Sequence, residues 1–343
     1  MKKQFMVVVR YTAAALTLFF LVGCSRSKLD IYITGYEELD SGSRVAVYWK
    51  NGERIALPTS SAGASWAVAI AVSGSDVYVA GLEIPEAGKF HALYWKNGEK
   101  FIISDGPNAT WTSSIAVSGD DVYITGYEMN NQAGFTAVLW KNGVRSALSD
   151  DPLSSMAYAV AVNDDDVYVA GNDSNGQPPG GKAVYWKNGE RVILSGSSGN
   201  AGVSAMTILD SDVYIAGKED AFGVYWKNGE KTTLTEDNVI ATISAIAVSE
   251  TDVYVCGNEI NDGRAMAVYW KNGEKKVLTE DTHSGMAQDI AVDGSNVYIV
   301  GRDTDTDNVN SAVYWENGKK IPLARGGNTI SADANGITIS RRK

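Results

Sequence analysis

Apolar residues come in short runs along the chain, each bounded by small polar residues or glycine. One stretch contains four such runs, at residues 69–72, 76–81, 92–96 and 99–104, with Asn97-Gly98 between the last two. Runs of this length are typical of β-strands. Asn-Gly favours a two-residue hairpin, because both central residues of its turn need positive φ. The stretch therefore predicts four antiparallel strands, here named A to D in chain order.

The same four-strand unit recurs seven times. Segments of the type DVYVAG form strand B and begin at Asp30, Asp76, Asp121, Asp166, Asp212, Asp252 and Asn296, with spacings of 40 to 46 residues. Each is followed by a segment of the type AVYWKNGE, whose tryptophans are Trp49, Trp95, Trp140, Trp186, Trp226, Trp270 and Trp315. Seven copies at a period near 45 are typical of a radial repeat of four-stranded blades. We therefore predict an all-β fold, a seven-bladed β-propeller.

Strands A and B are apolar on both sides. Val77 and Val79 point to one side of strand B, and Tyr78 and Ala80 point to the other. A strand of this kind must be covered on both faces, as it is between blades stacked around an axis.

The ends of the repeat region predict how the ring closes. Residues 30–58 supply strands B, C and D with no strand A before them, whereas residues 336–339 supply a lone strand A. We expect this last strand to pair beside residues 30–35 and complete the first blade, which also removes two exposed sheet edges.

The first residues resemble an export signal. Positive charges at Lys2, Lys3 and Arg10 precede an apolar run over residues 11–22. Its twelve residues are fewer than the about 20 needed to span a bilayer, but they suit the apolar region of a secretory signal.

The signal ends in Leu21-Val22-Gly23-Cys24, which resembles the lipobox of bacterial lipoproteins. The resemblance implies cleavage before Cys24 and its acylation, including palmitate; an ordinary signal peptide with a chance cysteine is the alternative. We expect a signal peptide over 1–23, a lipidated N-terminus and short linker over 24–29, and a propeller over 30–343. The expected location is the cell envelope, with the outer membrane or cell surface favoured over the inner membrane.

Charge and cysteine content narrow the choice of partners. Loss of residues 1–23 removes three positive charges and no negative ones, so the formal net charge moves from −11 to −14. Such an acidic surface argues against nucleic acid as a partner. Cys256 is the only other cysteine, and we expect it to be a small buried core residue. We expect a monomer without a cofactor.

The repeat resembles a kelch-type blade, with a glycine near the end of strand B and a Tyr and a Trp in the strands that follow. It is also similar to the YWKNG-bearing repeats of uncharacterised bacterial secreted lipoproteins. Two departures from kelch are a single glycine in place of a pair, and an adjacent Tyr and Trp, as in Tyr94-Trp95. The resemblance implies the fold and no particular activity.

Three sets of residues recur around the repeat, with Asn296 in place of aspartate in the last unit, and this recurrence favours structural roles. The strand C tryptophans are expected to pack between blades, and the aspartates that open strand B are expected to bond the backbone of the A–B turn. An acidic residue follows each strand B glycine by two places: Glu37, Glu83, Glu128, Asp173, Glu219, Glu259 and Asp303. These carboxylates either brace their own loops, which we favour, or form a ring for cations or a basic partner.

Residues that break the repeat are better candidates for function. Trp66 and Trp111 lie before strand A in successive units, where the next unit has Met156. They suit stacking on a sugar ring or a peptide side chain, or they extend the core. A weaker metal candidate is the run with Asp303, Asp305 and Asp307, which resembles the start of a calcium loop. It lacks that loop's glycine and glutamate, so we expect an ordinary loop.

Catalytic signals are scarce. His91 and His283 are the only histidines, and the sequence contains no nucleophile motif of the type G-x-S-x-G. We therefore expect a binding scaffold that is not an enzyme, with an unidentified protein or glycan partner. It would bind through the face with the variable B–C and D–A loops. The alternatives are a glycan-processing hydrolase, which needs only a pair of carboxylates, and a purely structural envelope protein.

Overall fold

The computed structural model describes residues 29–60, 63–85, 90–104, 106, 108–130, 134–149, 154–174, 181–194, 200–280 and 282–341. Over these residues the fold is all β, with seven four-stranded antiparallel sheets in a ring. No helix in this part of the chain is long and apolar enough to cross a membrane. The predicted seven-bladed propeller is confirmed.

Each blade runs from an inner strand A to an outer strand D. Blade 1 combines β1 (Leu29–Leu39), β2 (Arg44–Lys50) and β3 (Glu53–Ala56) with β28 (Thr329–Arg341) as its strand A. Blade 2 is β4 (Ala64–Ser73), β5 (Asp76–Ile84), β6 (His91–Lys96) and β7 (Glu99–Ile102), and blade 3 is β8 (Thr110–Ser118), β9 (Asp121–Met129), β10 (Phe135–Lys141) and β11 (Val144–Ala147). Blade 4 is β12 (Ser155–Asn163), β13 (Asp166–Asp173), β14 (Lys182–Lys187) and β15 (Glu190–Ile193), and blade 5 is β16 (Ala201–Leu209), β17 (Asp212–Glu219), β18 (Phe222–Lys227) and β19 (Glu230–Thr233). Blade 6 is β20 (Ile240–Val248), β21 (Val253–Asn261), β22 (Arg264–Lys271) and β23 (Glu274–Val277), and blade 7 is β24 (Ser284–Asp293), β25 (Asn296–Thr304), β26 (Asn310–Glu316) and β27 (Lys319–Pro322).

The C-terminal strand closes the ring, as predicted. Strand β28 pairs antiparallel with β1 from Leu29↔Arg341 to Leu39↔Thr329. The strand is longer than the four residues, 336–339, that the sequence predicted, because its pairing with β1 continues beyond both ends of that segment.

The core lies between adjacent blades. Each strand C tryptophan is at most 1% exposed and sits in a cluster formed with the neighbouring blade. The indole N–H of Trp95 donates to the carbonyl of Pro58 at 2.9 Å, so the side chain also ties its blade to the preceding D–A loop. Cys256 is buried here, as predicted, and burial raises its thiol pKa well above the ordinary value.

A β-bulge interrupts strand A of every blade. In blade 2 the pairing passes from Ala67↔Gly81 to Ala69↔Ala80, so that Val68 has no partner in strand B. A Cβ at Gly81 would collide with the carbonyl oxygen of Trp66, which explains why every unit has glycine here. The sequence placed the end of strand B at this glycine, but the strand continues to Ile84.

Candidate functional site

The two faces of the ring differ in how strictly they repeat. The A–B and C–D turns lie on one face, where Asp76 accepts a hydrogen bond from Asn97 Nδ2 at 2.8 Å and pairs with Lys96 at 3.2 Å. From the sequence we expected this aspartate to bond the backbone of the A–B turn. Its partners are Asn97 and Lys96 instead, so that prediction was wrong. The other face carries the B–C and D–A loops and is called the upper face below.

The predicted carboxylates two places after the strand B glycine are each paired with a basic residue of strand D. The pairs are Glu37–Arg54, Glu83–Lys100, Glu128–Arg145, Asp173–Arg191, Glu219–Lys231, Glu259–Lys275 and Asp303–Lys320. Glu83 also accepts from the hydroxyl of Ser60 at 3.0 Å, in the loop before strand A. These carboxylates therefore brace blade and loop, which is the reading that the sequence favoured.

In the calcium candidate, the side chains of Asp303 and Asp305 make hydrogen bonds and ion pairs within the protein. Asp303 accepts from Lys320 at 3.0 Å and lies 2.9 Å from Nδ1 of His283. Asp305 Oδ1 instead accepts from the backbone N–H groups of Asp307 and Val309, which closes the loop as a turn. Within the described residues no three acidic, histidine or cysteine side chains come together in a way that could hold a metal ion.

Consensus breaks concentrate at one height of the upper face. They occupy the strand B residue after the glycine and its partner on strand A. In blade order these pairs are Tyr36–Asp333, Leu82–Trp66, Tyr127–Trp111, Asn172–Met156, Lys218–Gly202, Asn258–Thr242 and Arg302–Met286. Aromatic residues dominate the first three pairs, whereas polar, charged and small residues dominate the others.

Seven rings form a continuous aromatic band over blades 1 to 4: Tyr36, Trp66, Phe90, Trp111, Tyr127, Phe135 and Tyr158. Phe90 links the two predicted tryptophans, with centroids 6.0 Å from Trp66 and 5.2 Å from Trp111. The structure thus brings Trp66 and Trp111 into one aromatic band on neighbouring blades. The sequence did not single out Phe90 or Tyr127 as members.

The faces of the two tryptophan rings are partly covered by neighbours. Trp111 contacts Phe90, tilted by 34° at 5.2 Å, and Tyr127, tilted by 22° at 5.3 Å. The guanidinium of Arg44 lies 5.6 Å from the centroid of Trp66, a cation–π contact. Both side chains are half-buried. The band is therefore a row of aromatic rings that pack on one another.

The bulge changes the side on which Trp66 lies. An unbroken strand would place Trp66 on the same side as Ile70, and this would favour a core role. Trp66 pairs with Leu82 and Ile70 pairs with Val79, and residues 82 and 79 are an odd number apart. Because successive strand residues alternate in direction, Trp66 and Ile70 lie on opposite sides.

Tyr158 is the bulge residue of blade 4. The equivalent residues are Val68, Ser113, Ser204, Ser244, Gln288 and Asn335, and together these seven surround the central channel. Tyr158 is the only aromatic residue among them. Its hydroxyl lies 3.1 Å from the sulfur of Met156, the third predicted site residue. It meets Tyr127 edge-on, at 6.2 Å and 63°, so no ring is stacked on it among the described residues.

A cavity of about 450 Å³ opens beside Tyr158 on the upper face, between blades 4 and 6. Gly202 stands where blades 2 and 3 have Trp66 and Trp111, and this absence of a side chain leaves the space open. Lys218 and Asn172 form part of the wall. These residues break the repeat, so the sequence contained a signal for them. That signal can be recognised only when the strand register is known.

Asp289 is the carboxylate that lines the described part of the central channel. Blades 2, 4, 5 and 6 have alanine at this place in strand A, so Asp289 breaks the repeat. Its Oδ2 accepts from the backbone N–H of Ile337 at 2.8 Å. Burial raises the pKa of Asp289 to about 6 in spite of this bond.

A second buried acid, Asp333, lies in the same pair as Tyr36. It forms a salt bridge with Arg302 at 3.2 Å, which joins blade 7 to blade 1. Burial, followed by the charge of Asp333, raises the pKa of Tyr36 to about 12. Cys24, the predicted lipidation site, lies outside the described residues.

No protein-family model matches the chain, and neither does any curated protein. A similar solved structure is a puromycin-hydrolyzing peptidase of Mycobacterium tuberculosis, with 11% identity and a TM-score of 0.41. The alignment covers 75% of this chain and 53% of that chain, so this chain spans about half the length of the peptidase. A similarity this low gives no argument for a shared activity. The class defined by the fold is a seven-bladed β-propeller, which supports a binding or scaffold role.

Proposed function

We propose that the protein is an extracytoplasmic binding scaffold, held at the membrane by acylated Cys24, which binds its ligand at the upper face. The observation that carries the proposal is the uneven distribution of consensus breaks. Glycine, tryptophan and the strand B–strand D ion pair repeat around the ring. The residues after the strand B glycine differ from blade to blade and combine an aromatic band with an open cavity.

A binding surface of this kind agrees with general features of ligand sites. Such sites are concave, hold a few polar groups among apolar walls, and are positioned by a rigid frame. The cavity beside Tyr158 has the volume of a small-ligand site. Acylation of Cys24 would supply the anchor, because two or more acyl chains hold a protein stably at a membrane.

The test uses the mature chain with Cys24→Ala on arrays of glycans and envelope proteins. We expect one ligand class to bind, and Gly202→Trp to abolish that binding by filling the cavity. Gly202 tolerates a larger residue, since a Cβ there meets no atom nearer than 3.5 Å. Ser75→Trp, on the opposite face, serves as the matched control.

Two results would contradict the proposal. Equal binding by the Gly202→Trp and Ser75→Trp chains would remove the cavity from the site, and a lack of binding across both arrays would remove the scaffold role. The anchor is checked in the same preparations by detergent partitioning. The full-length chain should enter the detergent phase, whereas the Cys24→Ala chain should stay in the aqueous phase.

A further inference from the structure

We propose that the cavity beside Tyr158 binds a sugar acid, so that the ligand of this protein is an anionic glycan. This inference rests on the proposed function and names the ligand class of the same site. It is carried by the charge of the cavity wall, by the polar groups that line the cavity, and by the ring of Tyr158, on which no other ring is stacked among the described residues.

The first argument is charge. The chain has a formal net charge of −11, yet the described residues that line this cavity include a lysine, Lys218, and no carboxylate. Within the described part of the chain, Lys218 has no ion-pair or hydrogen-bond partner. Two other cations of the upper face are neutralised, Arg44 by Glu38 at 3.3 Å and Arg302 by Asp333. Lys218 is therefore available for an anionic group of a ligand.

The second argument is the direction of the Asn172 amide. Its Oδ1 accepts from the backbone N–H of Val203 at 2.8 Å, and this bond fixes the side chain. Its Nδ2 is 3.5 Å from the place where a Cβ of Gly202 would lie, at the cavity wall, and one of its N–H groups donates to the hydroxyl of Tyr158. An amide nitrogen has a second N–H, and this N–H and an ammonium group on one wall are suitable donors for a carboxylate.

The third argument concerns the remainder of the ligand. Ser204 and Thr242 also line the cavity, and their hydroxyl groups both donate and accept hydrogen bonds. A sugar ring presents several hydroxyls that can use such partners, together with a C–H face that packs on an aromatic ring. Tyr158 belongs to the aromatic band and lines the cavity. Among the described residues, no other ring is stacked on it. Tyr158 and Lys218 line the same cavity, so we place the sugar against the ring and its carboxylate at Lys218.

The test compares an acidic oligosaccharide with its neutral counterpart. The probes are trigalacturonic acid and the same trisaccharide with each carboxyl reduced to the alcohol, titrated into the mature Cys24→Ala chain by calorimetry. We expect the acid to bind at least about tenfold more tightly, the increment of a single well-placed ionic contact. The same comparison with glucuronic acid oligomers covers the other common sugar configuration.

Variants separate the contribution of the charge from that of the cavity. Lys218→Met should weaken binding of the acid at least about tenfold and leave the neutral probe unchanged, whereas Lys218→Arg should keep most of the affinity. Lys319→Met removes a lysine from the C–D turn of blade 7, on the opposite face, and should have no effect. Thermal unfolding of each variant confirms that the fold is intact.

The outcomes distinguish the inference from the proposed function. Equal binding of the acid and neutral probes, or full affinity in Lys218→Met, overturns the sugar acid. Failure of every acidic oligosaccharide to bind does the same. A peptide or neutral glycan that binds and is excluded by Gly202→Trp would also overturn it, but would leave the scaffold role in place.

Discussion

Individual side chains of the upper face have roles that their residue type alone does not disclose. Trp66 contacts Tyr36 edge-on at 6.4 Å and Phe90 at 6.0 Å, with Arg44 over its ring. Trp111 contacts Phe90 at 5.2 Å and Tyr127 at 5.3 Å. Both tryptophans therefore pack within the aromatic band, and the choice between a core role and a ligand contact becomes a matter of degree.

The stability of tryptophan variants tests this assignment. We expect Trp66→Ala to lower the free energy of unfolding by about 2 kcal/mol, since a half-buried ring loses part of the 3–5 kcal/mol of a buried one. Trp111→Ala should cost more, because Trp111 contacts three other rings, and Trp95→Ala should cost the most, because Trp95 is fully buried. Denaturant unfolding measures all three variants. A loss below about 0.5 kcal/mol for Trp66→Ala would show that the ring of Trp66 does not stabilise the fold.

At the scale of the strand, the bulge in strand A is the element that builds the site. It aims one residue of every blade into the channel, among them Tyr158, and it reverses the side on which residues before it lie. Next to the bulge of blade 7, Asp289 links β24 to β28 through the N–H of Ile337. A carboxylate here holds together the two inner strands at the seam of the ring.

This link should make stability depend on pH. Burial raises the pKa of Asp289 from 3.8 to about 6, so the folded chain retains its proton at pH values where the unfolded chain has lost it. Stability should therefore fall as pH rises from about 4 to about 6, by at most about 3 kcal/mol, because the channel leaves the side chain partly accessible. Below this window both states hold the proton, and above it neither does.

Asp289→Asn keeps an oxygen for the Ile337 N–H and removes the charge. We expect this variant to be more stable than wild type at pH 7.5 and equally stable at pH 4. Urea unfolding at both pH values measures the difference. An identical difference between the two proteins at both pH values would show that Asp289 does not titrate in this window.

At the scale of the whole molecule, ring closure couples all seven blades. Strand β28 pairs with β1 over its length, and it also contributes Ala332, Ala334 and Ile337 to the core between blades 7 and 1. No blade is covered on both faces unless its neighbours are present. Loss of one inner strand should therefore affect the entire ring.

Deletion of residues 334–343 tests this coupling. We expect a single, lowered thermal transition, with a loss of about 5 kcal/mol or more and a decrease in Tm on the order of 10 °C. Deletion of residues 342–343 alone is the control and should leave Tm unchanged. If the longer truncation unfolds at the wild-type temperature, the C-terminal strand does not hold the ring closed.

The sequence by itself determined the repeat, the blade and the closure. Seven Asn-Gly turns, seven buried tryptophans and strands apolar on both faces leave few arrangements other than stacked blades. These features are local and periodic, so they can be recognised without coordinates. The same periodicity singled out Trp66 and Trp111 as exceptions to the repeat, with Met156 at the equivalent place of the next unit.

Only the tertiary structure decided which exceptions meet in space. Tyr158, Gly202 and Lys218 lie on different strands of two blades, yet they line one cavity. Their meeting depends on the bulge, which shifts the register of strand A by one residue and leaves no mark in the hydrophobic pattern. A shift of one residue moves a side chain to the other side of a strand. The chain's sequence therefore determines the frame, whereas the geometry of the bulge and the contacts between blades determine the site.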